Sequence, residues 1–540
     1  VNKMIRREEG VALLVAVALT MILSAMALGI VTLGITEKGI NRNQKSGLQA
    51  LYNADAAIEV AKQQMTEFSQ AKMESLMSEW PGIGPIIVGP ENFFPDSGLS
   101  FQSEELGCDV ITLFAFIDSG LATTSQTFNF QYVSTASGEA YGTGNRTVIS
   151  EGNLRLSASR GSFSDFLIFT HIHYTPSGQQ IWFHTSGYFD GRVHSNGKMR
   201  FAYFPTFEDL VTSVPDVASY YNDGYPVDLD ADRNGNKDVP NFYGGFDRGV
   251  PVIPLPSNSF CQERAALGYA AADTTPVPLS AKRSALGLDP DDPSPVPPGI
   301  YVPNDGSAVT GGLYVSGDLQ ECRLSVDGDG NQNYTLTDQN GFTKLIVVDA
   351  TNMRTEIHQG GTTTLLSGLP RGILYATGGI ANLGGGERIA DAAPVAVASE
   401  TQLTIAAVDD IVIDRDITYQ DIDNSDCVMG VYSSDGDVCI STDAPDDLML
   451  DTFVMATGDY GAFTVDDYDH GDYRGQVHLR GGVVQKYYGP FGTFTYSGSQ
   501  TGYGRDFRYD RRGISPPYYP TTTLFRVDQP EPHVKVWREA

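Results

Sequence analysis

Twenty-five consecutive residues, Val11 to Ile35 (VALLVAVALTMILSAMALGIVTLGI), carry no charge. A helix rising about 1.5 Å per residue crosses a hydrocarbon core about 30 Å thick with that length, so this run divides the chain into what stays on one side of a membrane and what lies beyond. In front of it, VNKMIRREEG contains Lys3, Arg6 and Arg7. The positive-inside preference holds residues 1–10 in the cytoplasm and sends everything after Ile35 outward. A secretory signal peptide fits less well, because its apolar region is about 7 to 15 residues long and ends at a small-residue site. After Ile35 the segment TEKGINRNQKSGLQALYNADAAIEVAKQQMTEFSQAKMESLMSEW is rich in Ala, Gln, Lys and Glu. Leu48, Leu51, Ala54 and Ile58 recur at steps of three and four, which predicts an amphipathic stem over 36–80 that Pro81 and the following Gly-Pro pairs end.

A short charged leader ending in Gly10, the apolar run GVALLVAVAL and the stem motif LYNADAAIEVAKQQM resemble the N-termini of the type IV pilin superfamily. The likeness is to PilX-type minor pilins and GspK-type minor pseudopilins, and it covers about residues 5 to 65. It implies cleavage by prepilin peptidase between Gly10 and Val11, leaving Val11 as the N-methylated first residue. It also implies that other pilin-like subunits pack against the helix. Major pilins carry Glu at the fifth mature position, and here that position is Val15, which suits a minor subunit better than a repeated shaft subunit.

Past Pro81 no second apolar run approaches membrane length. With 58 Gly, 29 Pro and 27 Tyr, and charged residues at 19%, the remainder reads as many short strands joined by turns. Residues 81–160 read as a transitional α+β region and 161–540 as one β-rich extracytoplasmic body. Within the body, LYVSGDL at 313, LYATGGI at 374 and VMATGDY at 454 repeat closely, with weaker copies IAAVDDI at 405, VYSSDGD at 431 and VHLRGGV at 477. Such spacing fits coils better than sandwich strands, which recur about every 8 to 12 residues. The expected fold is mainly β with a long N-terminal α-helix, the body being a right-handed parallel β-helix or irregular β-solenoid. The Pro-rich stretch 251–305 reads as an exposed crossing. DGRVHSNGKMRF at 190, with GYGRDFRYDRRG and PPYYP near the end, resembles an uncharacterised bacterial domain found behind pilin-like N-termini.

Sixty-six acidic against 36 basic residues give a formal charge of -30, which repels phosphate backbones and excludes general nucleic-acid binding. Acidic loops suit hard cations instead. In DLDADRNGNKD, Asp230, Asp232, Asn234, Asn236 and Asp238 place alternate oxygens around Gly235, as a Ca²⁺ loop does, although Asn241 stands where an EF-hand has its bidentate Glu. Asp327, Asp329, Asn331 and Asn333 form a weaker candidate that lacks the central Gly. His171 and His173 would share one face of a strand, near His184 and His194, as transition-metal ligands do, but without acidic or cysteine partners in register. Of five cysteines, Cys427 and Cys439 form the expected bridge in an exported body, closing a loop worth about 3 kcal/mol.

No GxSxG, HExxH or Walker loop occurs, and pairs such as Asp409 with Asp410 and Asp466 with Asp467 arise readily among 66 acids, so the chain does not read as an enzyme. The aromatic and arginine-rich segment from Tyr487 to Arg512 could stack on sugars or cap an open coil. The leading expectation is a structural minor pilin or pseudopilin of a type IV pilus or type II secretion-like filament, anchored in the inner membrane. The alternative is a membrane-anchored adhesin that binds glycan or another surface through Ca²⁺-stabilised loops.

Overall fold

The computed structural model describes residues 2–540 except 79–92, 106, 122–124, 141–143, 186, 223–224, 236–237, 272–274 and 496–497. Leader, apolar run and stem are one uninterrupted helix, α1 (Asn2–Ser78). No proline falls inside it to remove a backbone N–H or to clash with the preceding turn. Among the described residues it is the one helix long and apolar enough to cross a membrane; its most apolar 18-residue window has a mean hydropathy of 2.6, and none of that window is buried.

Burial on α1 begins at Ser46 and follows Ala50, Ala54, Ala57, Ile58, Ala61, Met65, Ser69 and Met73, one stripe at steps of three and four. The stripe lies on an antiparallel sheet of β1 (Leu99–Ser103), β2 (Cys108–Leu121), β3 (Ser125–Ala140) and β4 (Gly144–Ser162). Small residues dominate its first half because helix and sheet meet backbone to backbone. A Cβ on Gly138 would fall 2.0 Å from the Ala50 carbonyl oxygen and 2.5 Å from the Ala54 nitrogen. There the Ser46 hydroxyl donates to the Ala140 carbonyl at 2.7 Å and Asn53 Nδ2 to the Glu139 carbonyl at 2.7 Å. Farther along, Met65 and Met73 meet Phe93, Phe128, Phe130, Tyr132 and Leu154. The expected apolar stripe is thereby corrected at one end: Leu48 is 55% exposed and Leu51 half-buried, whereas Ala54 and Ile58 are buried as expected. Leucine side chains are too large for so close an approach.

Of residues 81–160, read from sequence as a transitional α+β region, 81–92 lie outside the described residues and those from Leu99 on are nearly all strand. The C-terminus leaves the body to join them, Thr521–Val527 and Glu531–Glu539 both pairing with β4.

The rest of the chain builds two large sheets. The twelve-stranded one holds Gly502–Tyr509, which pairs with Tyr473–Tyr487 off the main path, and along that path, from one edge, Phe246–Arg248, Val211–Ser213, Val193–Ser195, β5 (Ile168–Ile172), Tyr473–Tyr487, Met449–Ala456, Val428–Ser433, Gln402–Ala407, Ile373–Ala376, Leu313–Ser316 and Gly299–Tyr301. Every pair in that series is parallel except the last. The chain thus enters the sheet in its interior at β5, steps outward to Phe246–Arg248, and restarts at the opposite edge. It then steps back until Val483 lies beside Ile168 and Val484 beside Phe169.

Five of the six sequence repeats stack in register, Leu313 on Leu374, Leu374 on Ile405, Ile405 on Val431 and Val431 on Val454. The sixth does not: Val454 faces Val483 rather than Val477, because Tyr473–Tyr487 is a long strand that continues past the repeat. The widest gap between repeats is filled by an antiparallel meander from Leu319 to Ser367. That meander extends the second sheet, whose other members Ile380–Gly384, Ile411–Ile413, Val438–Ile440 and Phe463–Val465 are parallel.

Between the sheets, aspartates tie one turn to the next. Asp318 Oδ1 accepts from Gly379 N at 2.9 Å, Asp410 Oδ1 from Asp437 N at 2.8 Å and Asp437 Oδ1 from Ala462 N at 2.9 Å. Much of the acidic surplus therefore satisfies backbone donors.

The Pro-rich crossing carries the chain between opposite edges of the twelve-stranded sheet, and it is not simply exposed. It contains α2 (Phe260–Ala266) and α3 (Leu279–Ala285) and buries Ile253, Ala265, Leu267 and Val277 against Phe169, Tyr314, Tyr375, Tyr432 and Phe453 on the sheet's outer face. Its apolar residues cover a sheet face that would otherwise meet water.

A side chain at Gly138 must push α1 off its seat. Gly138→Val is expected to cost at least about 3 kcal/mol and to raise amide hydrogen exchange over residues 46–73, whereas Leu48→Ala leaves both unchanged.

Candidate functional site: the stem helix and the polar corners of the body

Gly10 and Val11, the expected cleavage pair, lie on continuous helix, with Val11 and Val15 exposed. From Val11 to Ile40 the large apolar side chains face outward all round the helix, and Leu48 and Tyr52 extend that exposure over the back of the stem. An all-round apolar helix is stable only in lipid or among partner helices.

A bonded polar corner lies where the HSN segment ends the strand Val193–Ser195, which pairs beside β5. His194 Nδ1 meets Thr212 Oγ1 at 2.7 Å and its Nε2 meets Asn196 Oδ1 at 2.9 Å. The Asn196 amide also meets His171 Nδ1 at 2.8 Å and pairs like a strand residue with Ile253, donating to its carbonyl at 2.6 Å and accepting from its N–H at 3.1 Å. Asn196 therefore pins the start of the crossing. His173 does not join His171. The strand ends at Ile172, and the His173 ring turns inward, stacking on Phe183 at 5.1 Å with Nδ1 3.2 Å from Thr170 Oγ1. His184 is exposed, its ring edge-on to Tyr203. The four histidines thus form no common ligand set.

Burial, with Arg200 nearby, pulls His173 down to about 3; burial first, with Arg192 also opposing a second charge, pulls His194 down to about 4. Both side chains are neutral in the fold and are protonated more readily when it opens.

The first Asx-rich loop is closed by the protein's own groups. Arg248 Nη1 donates to Asp232 Oδ1 at 2.7 Å and its Nη2 to the Asp230 carbonyl at 3.0 Å. Asp238, wholly buried, accepts from Tyr203 N at 2.7 Å and from Asn234 Nδ2 at 2.8 Å. Asn236 lies outside the described residues. Tyr203 adopts φ +63°, a conformation that costs a non-glycine residue about 1–3 kcal/mol, and it is held there because Asp238 takes its N–H while its carbonyl accepts from Val239 N at 2.9 Å.

In the second loop Asp327 Oδ1 accepts from the N–H groups of Asp329 and Asn331, each at 2.9 Å, and its Oδ2 from the Asn331 amide at 3.0 Å, while Asn333 continues into the following strand. Burial raises the Asp327 pKa, but these donors outweigh it and leave the carboxyl below its usual range. Among the described residues no group of three or more His, Cys, Asp or Glu side chains is placed to hold a metal ion.

All five cysteines are free thiols. Cys427 precedes the strand Val428–Ser433 of one sheet, 4.0 Å from Arg512 Nη1, and Cys439 sits within Val438–Ile440 of the other. The expected bridge is not formed: Cys427 lies just ahead of a strand of one sheet and Cys439 within a strand of the other. The C-terminal aromatic segment turns inward, with Arg505 over Tyr488 at 4.7 Å and over Phe491 at 4.4 Å, and Phe491 edge-on to Phe463.

The sequence offered no signal for the Asn196 pairing or for the strained Tyr203 beyond the small polar run SNG and an isolated aromatic pair. Residues 127–215 match a family described as a domain of unknown function (DUF4900). The match spans β3, β4, the HSN corner and Tyr203. Comparison with curated proteins and with solved structures yielded no match to the chain.

Acid should loosen the HSN corner. With folded-state pKa values below the ordinary 6.5, the unfolded chain binds more protons, so stability is complete above about pH 6.5 and falls as pH drops. At pH 5 each of the two histidines costs about 2 kcal/mol. His194→Gln is expected to lose less stability than the parent between pH 7 and 5, read as a shallower pH dependence of Tm.

Proposed function

We propose that this chain is a structural, pilin-like subunit, a minor pilin or minor pseudopilin of a type IV pilus or type II secretion-like filament. In this reading α1 sits in the inner membrane and then among other pilin-like helices, and it displays the β-rich body outside the cytoplasm. One observation carries the reading: a single 77-residue helix is bare and apolar over its first half and seated on an antiparallel sheet over its second. A simple anchor needs about 20 residues. The rigid continuation through Met73, keyed to the sheet at Gly138, transmits the position of the helix directly to the body.

The same reading takes the body as a β-solenoid of right-handed coils. Supporting it are the parallel in-register stacking of the repeats, the aspartate links between successive turns, and alternation of each repeat between the two sheets. Parallel crossovers in one sheet are right-handed in nearly all proteins.

Prepilin peptidase acting before Val11 leaves a mature chain that begins with Val11. N-terminal mass spectrometry of the membrane-extracted protein is expected to find N-methylated Val11. Gly10→Leu should block processing and keep the full leader, while leaving the melting temperature of the body unchanged. A parent protein that retains residues 1–10 in cells with an active peptidase would sink the proposal.

A further inference from the structure

The strained Tyr203 belongs to a row of partly exposed rings. Trp182 stands edge-on to Tyr221 with centroids 6.3 Å apart, Tyr221 lies 5.8 Å from Tyr203, and Tyr203 lies 5.3 Å from His184. His184 is exposed and the other three are partly buried; Phe204, next in the chain, is 48% exposed. Among the described residues nothing hydrogen-bonds the Tyr203 or Tyr221 hydroxyls, the Trp182 indole N–H or the His184 ring nitrogens, so these polar heads are open to solvent.

What fixes the row is the Asx-rich loop. Asp238 clamps the Tyr203 backbone, and Asn234 Nδ2 reaches the Tyr221 carbonyl at 3.4 Å as well as Asp238. The loop is itself anchored by Arg248 and by Tyr220, whose hydroxyl donates to the Ala231 carbonyl at 2.5 Å. A buried carboxylate thus holds Tyr203 in a conformation that glycine adopts most easily, with its side chain partly exposed. Strain retained for the sake of an exposed aromatic side chain points to a ligand for that side chain.

We propose that Trp182, Tyr203 and Tyr221 form a binding platform for a neutral hexopyranose glycan, with His184 at its rim. The flat C–H faces of pyranose rings stack on aromatic faces, and their hydroxyls take the unspent phenol, indole and imidazole groups. Charge selects the class. The four carboxylates of residues 228–238 are matched by Arg233, Lys237 and the flanking Lys198 and Arg248, the last two paired with Asp228 and Asp232, so the segment offers no net charge to a ligand. On a chain of net charge -30 a polyanionic glycan is repelled.

The test uses the full chain in detergent, titrated with cellohexaose, maltohexaose and laminarihexaose and followed by tryptophan emission; Trp80→Phe and Trp537→Phe together remove the other two reporters. At least one oligosaccharide is expected to change the Trp182 signal saturably with a Kd of about 1 mM or tighter. Tyr203→Gly, which relieves the backbone strain and keeps the fold, should weaken binding at least tenfold without lowering Tm, and Tyr221→Ala should weaken it similarly. The proposal is overturned if none of the three binds at about 10 mM, if Tyr203→Gly binds like the parent, or if polygalacturonate binds and the neutral sugars do not. Loss of a protein–protein association in Tyr203→Gly, with no sugar binding in the parent, would likewise assign the platform to a protein partner and overturn it.

Discussion

The pairing of Val483 with Ile168 and Val484 with Phe169 closes a chain excursion of more than three hundred residues, and the arrangement of the body depends on it. Strands laid down early run from β5 toward one edge, and those laid down late return from the other. Only where Tyr473–Tyr487 meets β5 do the two stacks become one sheet. The junction also brings the C-terminal segment close enough to the start of the body for its last two strands to pair with β4. The sheet that seats the helix thus takes its last strands from the far end of the chain. Because these contacts are distant in sequence, they carry a loop-closure cost that local structure does not.

The split between what the sequence disclosed and what it did not follows the range of the forces involved. The helix was legible because an unbroken apolar run followed by an Ala-rich stem is a local signal. The repeats were legible because in-register stacking of parallel strands favours the same residue type at the same place in each, as at Leu313, Leu374, Ile405, Val431 and Val454. The sixth repeat failed since nothing in VHLRGGV marks where a fifteen-residue strand will meet its neighbour. The stem's seat was misread at Leu48 because hydrophobicity ranks leucine above serine and alanine, while contact at the distance set by Gly138 admits only small side chains. The cysteines were misread because nearness in sequence says little about nearness across a two-sheet body.

The calcium expectation shows how a motif can be read for its geometry and still leave its partner open. Alternate Asp and Asn residues around a glycine supply inward oxygens, and those oxygens need compensating positive character from some source. In the first loop Arg248, the Asn234 amide and the Tyr203 N–H supply it, and in the second the backbone of Asp329 and Asn331 does. The carboxylates of Asp232, Asp238 and Asp327 thus shape the chain. The aspartate links at 318, 410 and 437 act in the same way, so a net charge of -30 here reflects the accounting of backbone donors as much as any ligand.

The exposure of α1 and the exposure of the ring row have different physical standing. Apolar residues from Val11 to Ile40 cannot stay in water, so the helix must find lipid or other helices, and that demand is unspecific as to which helix. The rings at Trp182, Tyr203 and Tyr221 are amphipathic and tolerate water, so their placement is not forced by solvation. It is imposed by a buried carboxylate acting on a residue whose backbone would relax elsewhere if released. One end of the molecule is therefore organised by what it must avoid, and the other by a conformation it is made to keep.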